Sequence, residues 1–427
     1  MSISKNSIIT FVSQIASFAF YTLSSVVLAR ALGPEGKGIY AIVFLVIMTL
    51  ADALKFNIDN STVYYLGTSK HDFTEFFKIY FILAVLLGLA GIGIYFFFRD
   101  AIITRLLKEI NPTSLDIVVF FLPLYLLDFY LTSAIWGLNE IKKYNFSNVC
   151  RPILLTVLLV FSAFFTKDPF WFMIANIAAV FGIVILNYFF LFKHTKSFNP
   201  KINLSLIKEM FIYGTKGTVG SLLGLLAYRL GPYLVIYYCG VKAMGYYSVS
   251  LYSEFLWFIP FSINVALFPV MSRIDNDSKI ALAKQIARNA VFISSVCAFV
   301  LIIISRPLIN RLYGNEFLPA VIPFCILLPG IAVGSITRAL KSFFDGQGKP
   351  EINAYVSAAT VIAAIILNIT FISRMGIIGA ALSSLCIYIL TATSFVVIFA
   401  KATSSKIKEI LFINKDDIRF YRNFLGK

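Results

Sequence analysis

Residues 76–98 form one almost uncharged run, FFKIYFILAVLLGLAGIGIYFFF, in which Lys78 is the single charged side chain. A helix needs about 20 apolar residues to cross the hydrocarbon core of a bilayer. This run therefore predicts a membrane-spanning helix. Similar runs recur from one end of the chain to the other, so the sequence predicts many crossings rather than one anchor.

The composition of the whole chain supports this interpretation. Of the 427 residues, 59% are hydrophobic and 14% are charged, whereas soluble domains have about 45–50% apolar and about 25% charged residues. A soluble enzyme, a nucleic-acid-binding protein and a disordered chain are excluded. We expect an all-α polytopic membrane protein with about twelve transmembrane helices. The predicted spans are 8–30, 38–58, 76–98, 117–138, 149–166, 170–192, 211–239, 245–271, 287–304, 318–340, 352–372 and 376–400.

The basic residues are distributed unevenly between the loops on the two sides of these spans. Of the 37 Lys and Arg residues, about 24 lie on the side of the N-terminus and about 10 on the opposite side. Basic loops stay in the cytoplasm, so both termini are predicted to be cytoplasmic. The formal net charge of +16 indicates affinity for anionic lipid rather than for nucleic acid.

An internal repeat divides the chain. Gly33, Gly38 and Tyr40 follow the first span, and Gly240 and Gly245 follow the seventh at an offset of 207, with Tyr247 in register with Tyr40. A weaker second match relates residues 136–140 to 345–349. The repeat predicts two pseudo-symmetric six-helix lobes, 1–200 and 201–400, around a central cavity, followed by a basic cytoplasmic tail, 401–427. Such repeats usually enclose a substrate path.

Ionisable side chains inside spans are costly and mark functional sites or ion pairs by default. They concentrate in spans 2, 4, 7 and 8. The residues concerned are Asp52, Lys55, Asp128, Lys216, Arg229 and Glu254. A polar stripe in span 1 adds Ser13, Ser17, Tyr21 and Ser24 at helical spacing, with Gln14 beside it.

The partners of these charges are partly predictable. Asp52 and Lys55 are three residues apart and share a helix face, so they can neutralise each other. Arg229 has two open interpretations, an ion pair with Glu254 at the same depth or contact with an anionic substrate. Asp128 has no obvious partner and is the first candidate for a proton carrier, ahead of Glu254 and Asp52. Arg151, near a span end, is expected to extend towards the interface.

Metal and cofactor sites are not predicted. The five cysteines lie in or beside apolar runs without CxxC spacing, and the two histidines, His71 and His194, are far apart. The cysteines are interpreted as small hydrophobic residues.

Several stretches resemble the polysaccharide-transport (O-antigen flippase) branch of the multidrug/oligosaccharidyl-lipid/polysaccharide (MOP) flippase superfamily. They are LARALGPEGKG at 28–38, GYYSV at 245–249 through Phe268-Pro269, GQGKP at 346–350 and GIIGAA at 376–381. The resemblance implies that the chain is not an enzyme. It implies a flippase of the bacterial cytoplasmic (inner) membrane that moves undecaprenyl-pyrophosphate-linked oligosaccharide to the outer leaflet by alternating access. Protons or sodium ions are candidate coupling ions, and other polysaccharide-assembly membrane proteins are candidate partners.

The predicted site residues fit that chemistry. A desolvated pyrophosphate needs Arg or Lys, which Lys216, Arg229 and Lys55 supply, while sugar hydroxyls need the hydroxyl, amide and aromatic groups of the span 1 stripe. Two alternatives remain. A multidrug and toxin extrusion (MATE) exporter shares the fold but requires an acidic cavity. A membrane glycosyltransferase or polymerase requires a large outer loop, and no predicted loop exceeds about 20 residues.

Overall fold

The computed structural model describes residues 2–68, 73–107, 109–195, 203–257, 276–347, 350–414 and 417. Almost all of these residues are helical, and they include no β-strand. The helices are α1 (Ser2–Leu54), α2 (Ile58–Gly67), α3 (Phe73–Ala101), α4 (Pro112–Val119), α5 (Leu122–Gly137), α6 (Ile141–Phe165), α7 (Pro169–Phe192), α8 (Leu204–Ser250), α9 (Asn276–Tyr313), α10 (Val321–Gly334), α11 (Ile336–Gly346), α12 (Pro350–Thr403) and α13 (Ile407–Leu411).

Within the described ranges, eight helical segments are long and apolar enough to cross a membrane, or nine if the bent pair α4 and α5 forms one crossing. Some of these segments are too long for a single crossing. The segment Ile9–Leu54 has 46 residues and Glu351–Thr403 has 53, and a helix of that length, at 1.5 Å per residue, extends over about 70–80 Å. Each contains two predicted spans. The eighth span, 245–271, lies outside the described residues from 258 onwards, as does Phe268-Pro269.

Glycines break the long helices between paired spans. Gly33 in α1 has φ 66° and ψ −175°, Gly240 in α8 has φ 80° and ψ 179°, and Gly376 in α12 has φ 59°. Glycine adopts positive φ without the steric cost that a β-carbon would impose. The first repeat match is thereby confirmed in local structure, because Gly33 and Gly240 have the same backbone conformation.

Capping residues and prolines start two of the helices. The Asn111 side chain accepts a hydrogen bond from the Thr113 amide ahead of Pro112 in α4. Asp168 accepts one from the Phe170 amide, and Pro169 is the first residue of α7. In both helices, the capping side chain accepts a hydrogen bond from an amide of the first turn that has no partner within the helix. The proline occupies a first-turn position at which an amide would have no such partner.

The chain forms two compact units, Met1–Gly245 and Tyr246–Lys427. In the first, α1 packs on α6 and α7, and α5 packs on α2 and α3. In the second, α10 packs on α9 and α12. Each unit buries large aromatic side chains, and many apolar side chains such as Phe97 and Phe164 are exposed, as expected of lipid-facing positions. The division into lobes 1–200 and 201–400 stays a prediction.

Candidate functional site

The predicted second span is interrupted close to its charged residues. Helix α1 ends at Leu54 and α2 begins at Ile58, and between them Phe56 and Asn57 have φ values of 47° and 52°. Left-handed conformations cost energy for residues other than glycine, and such strain is concentrated at functional sites. Backbone hydrogen bonds connect the two sides of the break, since the Lys55 amide donates to the Ala51 carbonyl at 3.0 Å and the Ile58 amide donates to the Lys55 carbonyl at 2.9 Å. Discontinuous spans of this type form binding sites in transporters.

Helix α8 packs directly against this break. Gly214 lies against the carbonyl oxygen of Phe56, where a β-carbon would overlap that oxygen. The rings of Phe56 and Phe211 are also in contact, with centroids 5.8 Å apart. The interruption of span 2 is therefore enclosed by span 7 within the first unit.

Four charged side chains of alternating sign surround the break, and we call them the four-charge cluster: Asp52, Lys55, Asp59 and Arg229. The Lys55 ammonium lies 3.2 Å from Asp52 and 2.9 Å from Asp59. The Arg229 guanidinium lies 2.5 Å from the other oxygen of Asp52. All four side chains are about one-fifth exposed. The predicted Asp52–Lys55 pair is confirmed, and the cluster as a whole is neutral.

Arg229 is held by more than its ion pair. Its second terminal nitrogen donates to the Leu45 carbonyl at 3.2 Å and to the Thr49 hydroxyl at 3.1 Å. The Tyr233 hydroxyl, one helical turn further, bonds the same Thr49 at 2.9 Å. Arg229 was predicted to contact either Glu254 or an anionic substrate, and Asp52 was not among its predicted partners. Glu254 lies in the second unit, where it accepts a hydrogen bond from the Tyr388 hydroxyl at 3.2 Å.

Two buried polar atoms beside the cluster have no hydrogen-bond partner among the described residues. They are the second carboxylate oxygen of Asp59 and the hydroxyl of Tyr130. Buried polar groups almost always have a partner, so each exception calls for one, such as an ordered water or a ligand group. Lys55 also lies over the Phe129 ring at 4.8 Å. Asp59 and Tyr130 therefore keep unused hydrogen-bonding capacity beside the cluster.

The structure corrects the prediction for Asp128. Arg151 from α6 binds both carboxylate oxygens of Asp128, with one nitrogen–oxygen distance of 2.7 Å, and Asp128 is only 4% exposed. The expectation of an unpaired carboxylate was wrong, and so was the expectation that Arg151 extends towards the interface. The two residues lie at equal chain distance from the α5–α6 turn. Equal chain distance from a turn was the reason for considering an Arg229–Glu254 pair, and the same reasoning applied here predicts the Asp128–Arg151 pair.

The polar stripe of span 1 mostly faces α6. Ser24 and Thr156 share a hydrogen bond of 2.8 Å, and the Ser17 hydroxyl donates to the Asn148 carbonyl at 3.1 Å. Ser13 and Gln14 are half-buried, and Tyr21 is the exposed member. At least two of the stripe residues therefore contribute to helix packing. Lys216 lies in α8, but its side chain is outside the described part of the chain.

The described charged side chains come together as ion pairs rather than as metal sites. Among the described residues, no group of three or more His, Cys, Asp and Glu could hold a metal ion. All five cysteines are free.

Outside the spans, Lys143 and then His194 hold the pKa of Glu140 below its usual value.

A family match and a related protein both indicate polysaccharide biosynthesis or transport. The family described as "Polysaccharide biosynthesis protein" matches residues 27–322. A protein of Shigella flexneri described as "Putative O-antigen transporter" is 23% identical over 407 residues, which cover 90% of this chain and 94% of the relative.

Solved structures show the same fold. An inward-facing MATE family transporter of the MOP superfamily has a TM-score of 0.73 at 11% identity, covering 91% of this chain and 94% of its own. Lipid II flippase MurJ in an inward closed conformation has a TM-score of 0.70 at 16% identity, covering 98% and 93%. These neighbours have the two-lobe, twelve-helix transporter fold, so the predicted fold class is confirmed.

Proposed function

This chain belongs to the polysaccharide biosynthesis protein family, as a flippase-type transporter of the MOP superfamily, and we propose that it translocates undecaprenyl-pyrophosphate-linked oligosaccharide. The cargo moves from the cytoplasmic to the outer leaflet of the bacterial inner membrane, with both termini in the cytoplasm. The lobes 1–200 and 201–400 open alternately to the two sides.

The four-charge cluster is the observation that supports this cargo. It places two cations, Lys55 and Arg229, inside predicted spans, and each is neutralised by a carboxylate. A pyrophosphate accepts hydrogen bonds from guanidinium in a two-point geometry, as a carboxylate does. The cargo phosphate can therefore replace Asp52 on Arg229 and keep this guanidinium paired in the low-dielectric layer. Lys216, Ser13, Gln14, Ser17, Tyr21 and Ser24 remain proposed cavity residues.

The exchange also suggests how transport is coupled to an ion. Once phosphate occupies Arg229, Asp52 keeps only Lys55, which it shares with Asp59. Two carboxylates then face one cation, and this excess negative charge is costly at this depth. A proton or a sodium ion neutralises that excess. We place the coupling at Asp52 rather than at Asp128, whose two oxygens are already bound by Arg151. Glu254 remains a candidate in the second unit.

Cation export is the second candidate, because the MATE transporter shares the fold. An exporter of organic cations needs net negative charge at its binding site, whereas the four-charge cluster sums to zero. The family match to polysaccharide biosynthesis also favours the flippase.

A complementation experiment tests the proposal. In a strain lacking this gene, the Arg229→Ala variant is expected to abolish surface polysaccharide while its level in the membrane stays normal. Arg306→Ala is the matched control, because Arg306 is an exposed arginine of α9. Uptake of lipid-linked glycan into inverted vesicles and efflux of organic cations are measured in parallel. Full surface glycan with Arg229→Ala, or cation efflux without glycan uptake, would overturn the proposal.

A further inference from the structure

The chain after α12 folds back onto the second unit. Residues 401–427 are predicted to be a basic cytoplasmic tail. In the described part of this tail, α13 lies against α9 and α12, and Ile410 is completely buried. Ile410 joins an apolar cluster that includes Ile286, Leu340 and Phe399. The described part of the tail is thus a packed element of the fold.

A buried ion pair fixes the end of this element. Two nitrogens of Arg288 in α9 bind the two carboxylate oxygens of Asp417 at 2.7 and 3.2 Å. The third nitrogen donates to the Glu409 carbonyl at 2.7 Å. Arg288 is 7% exposed and Asp417 is fully buried. Leaving either charge without the other costs several kcal/mol, so the positions of Glu409 and Asp417 on α9 are strongly defined.

A cavity of about 870 Å³ lies between α9 and this tail segment. Its wall combines apolar side chains, including Leu282, Phe412 and Ile413, with the amides of Gln285 and Asn414 and the ammonium groups of Lys284 and Lys408. An apolar wall beside donors and cations suits a molecule with an anionic head and a hydrocarbon part.

The acidic groups of the wall are already neutralised. Asp417 is bound by Arg288 and by the Asn414 amide. Glu409 accepts a hydrogen bond from Lys284 at 2.9 Å, and this contact holds the pKa of Glu409 below its usual value. Lys408 has no ion-pair partner among the described salt bridges, so it is available to an anion. The cavity therefore attracts negative charge on balance.

The location of the cavity matches the membrane interface. Residues 278–288 immediately precede or enter the predicted span 287–304, on the side that has most of the basic residues. Basic pockets at the cytoplasmic interface bind anionic lipid headgroups.

We propose that this cavity binds the phosphate headgroup of an anionic inner-leaflet phospholipid, with Lys408 on the phosphate and Phe412 against the first acyl carbons. The inference depends on the proposed membrane orientation, but not on the identity of the transported glycan.

A lipid-binding measurement tests this site. The full-length protein is purified, and its affinity for phosphatidylglycerol, phosphatidylcholine and inorganic phosphate is measured. We expect preference for phosphatidylglycerol, and a loss of affinity of about five-fold in Lys408→Gln, because one Lys near an anionic surface contributes about 1 kcal/mol. Lys401→Gln is the matched control, since Lys401 is exposed in the same region but does not line the cavity.

The outcomes separate the sources of binding. A loss in Lys408→Gln and in Phe412→Ser, with Lys401→Gln unchanged, supports the site. Equal losses in both lysine variants indicate diffuse attraction and overturn it. Displacement of phosphatidylglycerol by inorganic phosphate at equal concentration overturns the lipid assignment. Because the readout is lipid affinity, failure here leaves the glycan-transport proposal intact.

Discussion

Gly245 lies directly against the carbonyl oxygen of Pro34, and a β-carbon at position 245 would overlap that oxygen. The reciprocal contact exists between Gly38 and the carbonyl oxygen of Val241. Both residues of the second pair are related to the first pair by the repeat offset of 207. The break in α1 and the break in α8 therefore pack against each other through equivalent positions, all within the first unit.

This contact predicts a steric effect at Gly245. The Gly245→Ala substitution is expected to lower the free energy of unfolding by about 1–3 kcal/mol, because overpacking against backbone cannot be relieved by a side-chain movement. Gly93→Ala in α3 is the control, since nothing lies within 4 Å of a β-carbon there. Thermal unfolding of the two purified variants measures the difference. Equal melting temperatures would show that the contact is not tight in solution.

The Asp52–Arg229 ion pair predicts energetic coupling. Asp52→Asn and Arg229→Gln should each reduce stability and transport, and the double variant should lose less than the sum. Close charge pairs of this kind have coupling energies of about 0.5–3 kcal/mol. A double-mutant cycle on unfolding measures it, with Arg99 and the 94% exposed Asp100 as the control pair. Strict additivity at Asp52 and Arg229 would mean that the pair does not form in the membrane.

Asp128 is expected to act structurally rather than as a proton carrier. Asp128→Asn leaves Arg151 as a buried unpaired charge, which typically costs about 3–5 kcal/mol. We expect a large loss of stability, recovered in part by Asp128→Asn combined with Arg151→Gln. Unfolding of the single and double variants gives the first test. The pH profile of glycan uptake gives the second, and a profile altered by Asp128→Asn without loss of stability would restore the proton-carrier role.

Two of the buried tyrosines in the first unit, Tyr80 and Tyr130, should differ in the effect of removing the hydroxyl. The Tyr80 hydroxyl donates to Thr62 at 3.2 Å, so Tyr80→Phe should lower stability by about 1 kcal/mol. Tyr130 has no described partner for its hydroxyl, so Tyr130→Phe should leave stability unchanged or raise it. If a cargo group rather than a water completes the hydrogen bonding of this hydroxyl, the Tyr130 variant should nevertheless reduce glycan uptake. Unfolding and uptake are compared for both. A destabilised Tyr130→Phe protein would indicate a bound water that completes the fold.

The sequence alone determined the membrane class, the helical fold and the repeat. These features depend on local properties of the sequence, namely the length of apolar runs, the excess of basic residues in some loops and the glycines at positions 33 and 240. Each property can be recognised without knowing which residues are close together in space. The Asp52–Lys55 pair was also predictable from the sequence, because the two residues are three positions apart in the chain.

Only the tertiary structure decided the remaining partners. Arg229 meets Asp52 because α8 and α1, which are distant in sequence, pack side by side, and the spacing of residues along the chain does not specify which distant helices become neighbours. The Asp128–Arg151 pair joins the consecutive helices α5 and α6, so its chain spacing permitted a prediction, but only the structure showed that it forms. The interruption at residues 55–57 was hidden for the same reason as the Arg229–Asp52 pair. Phe56 and Asn57 are ordinary residues in a helical pattern, and only the structure shows their left-handed backbone with Gly214 of α8 packed against it.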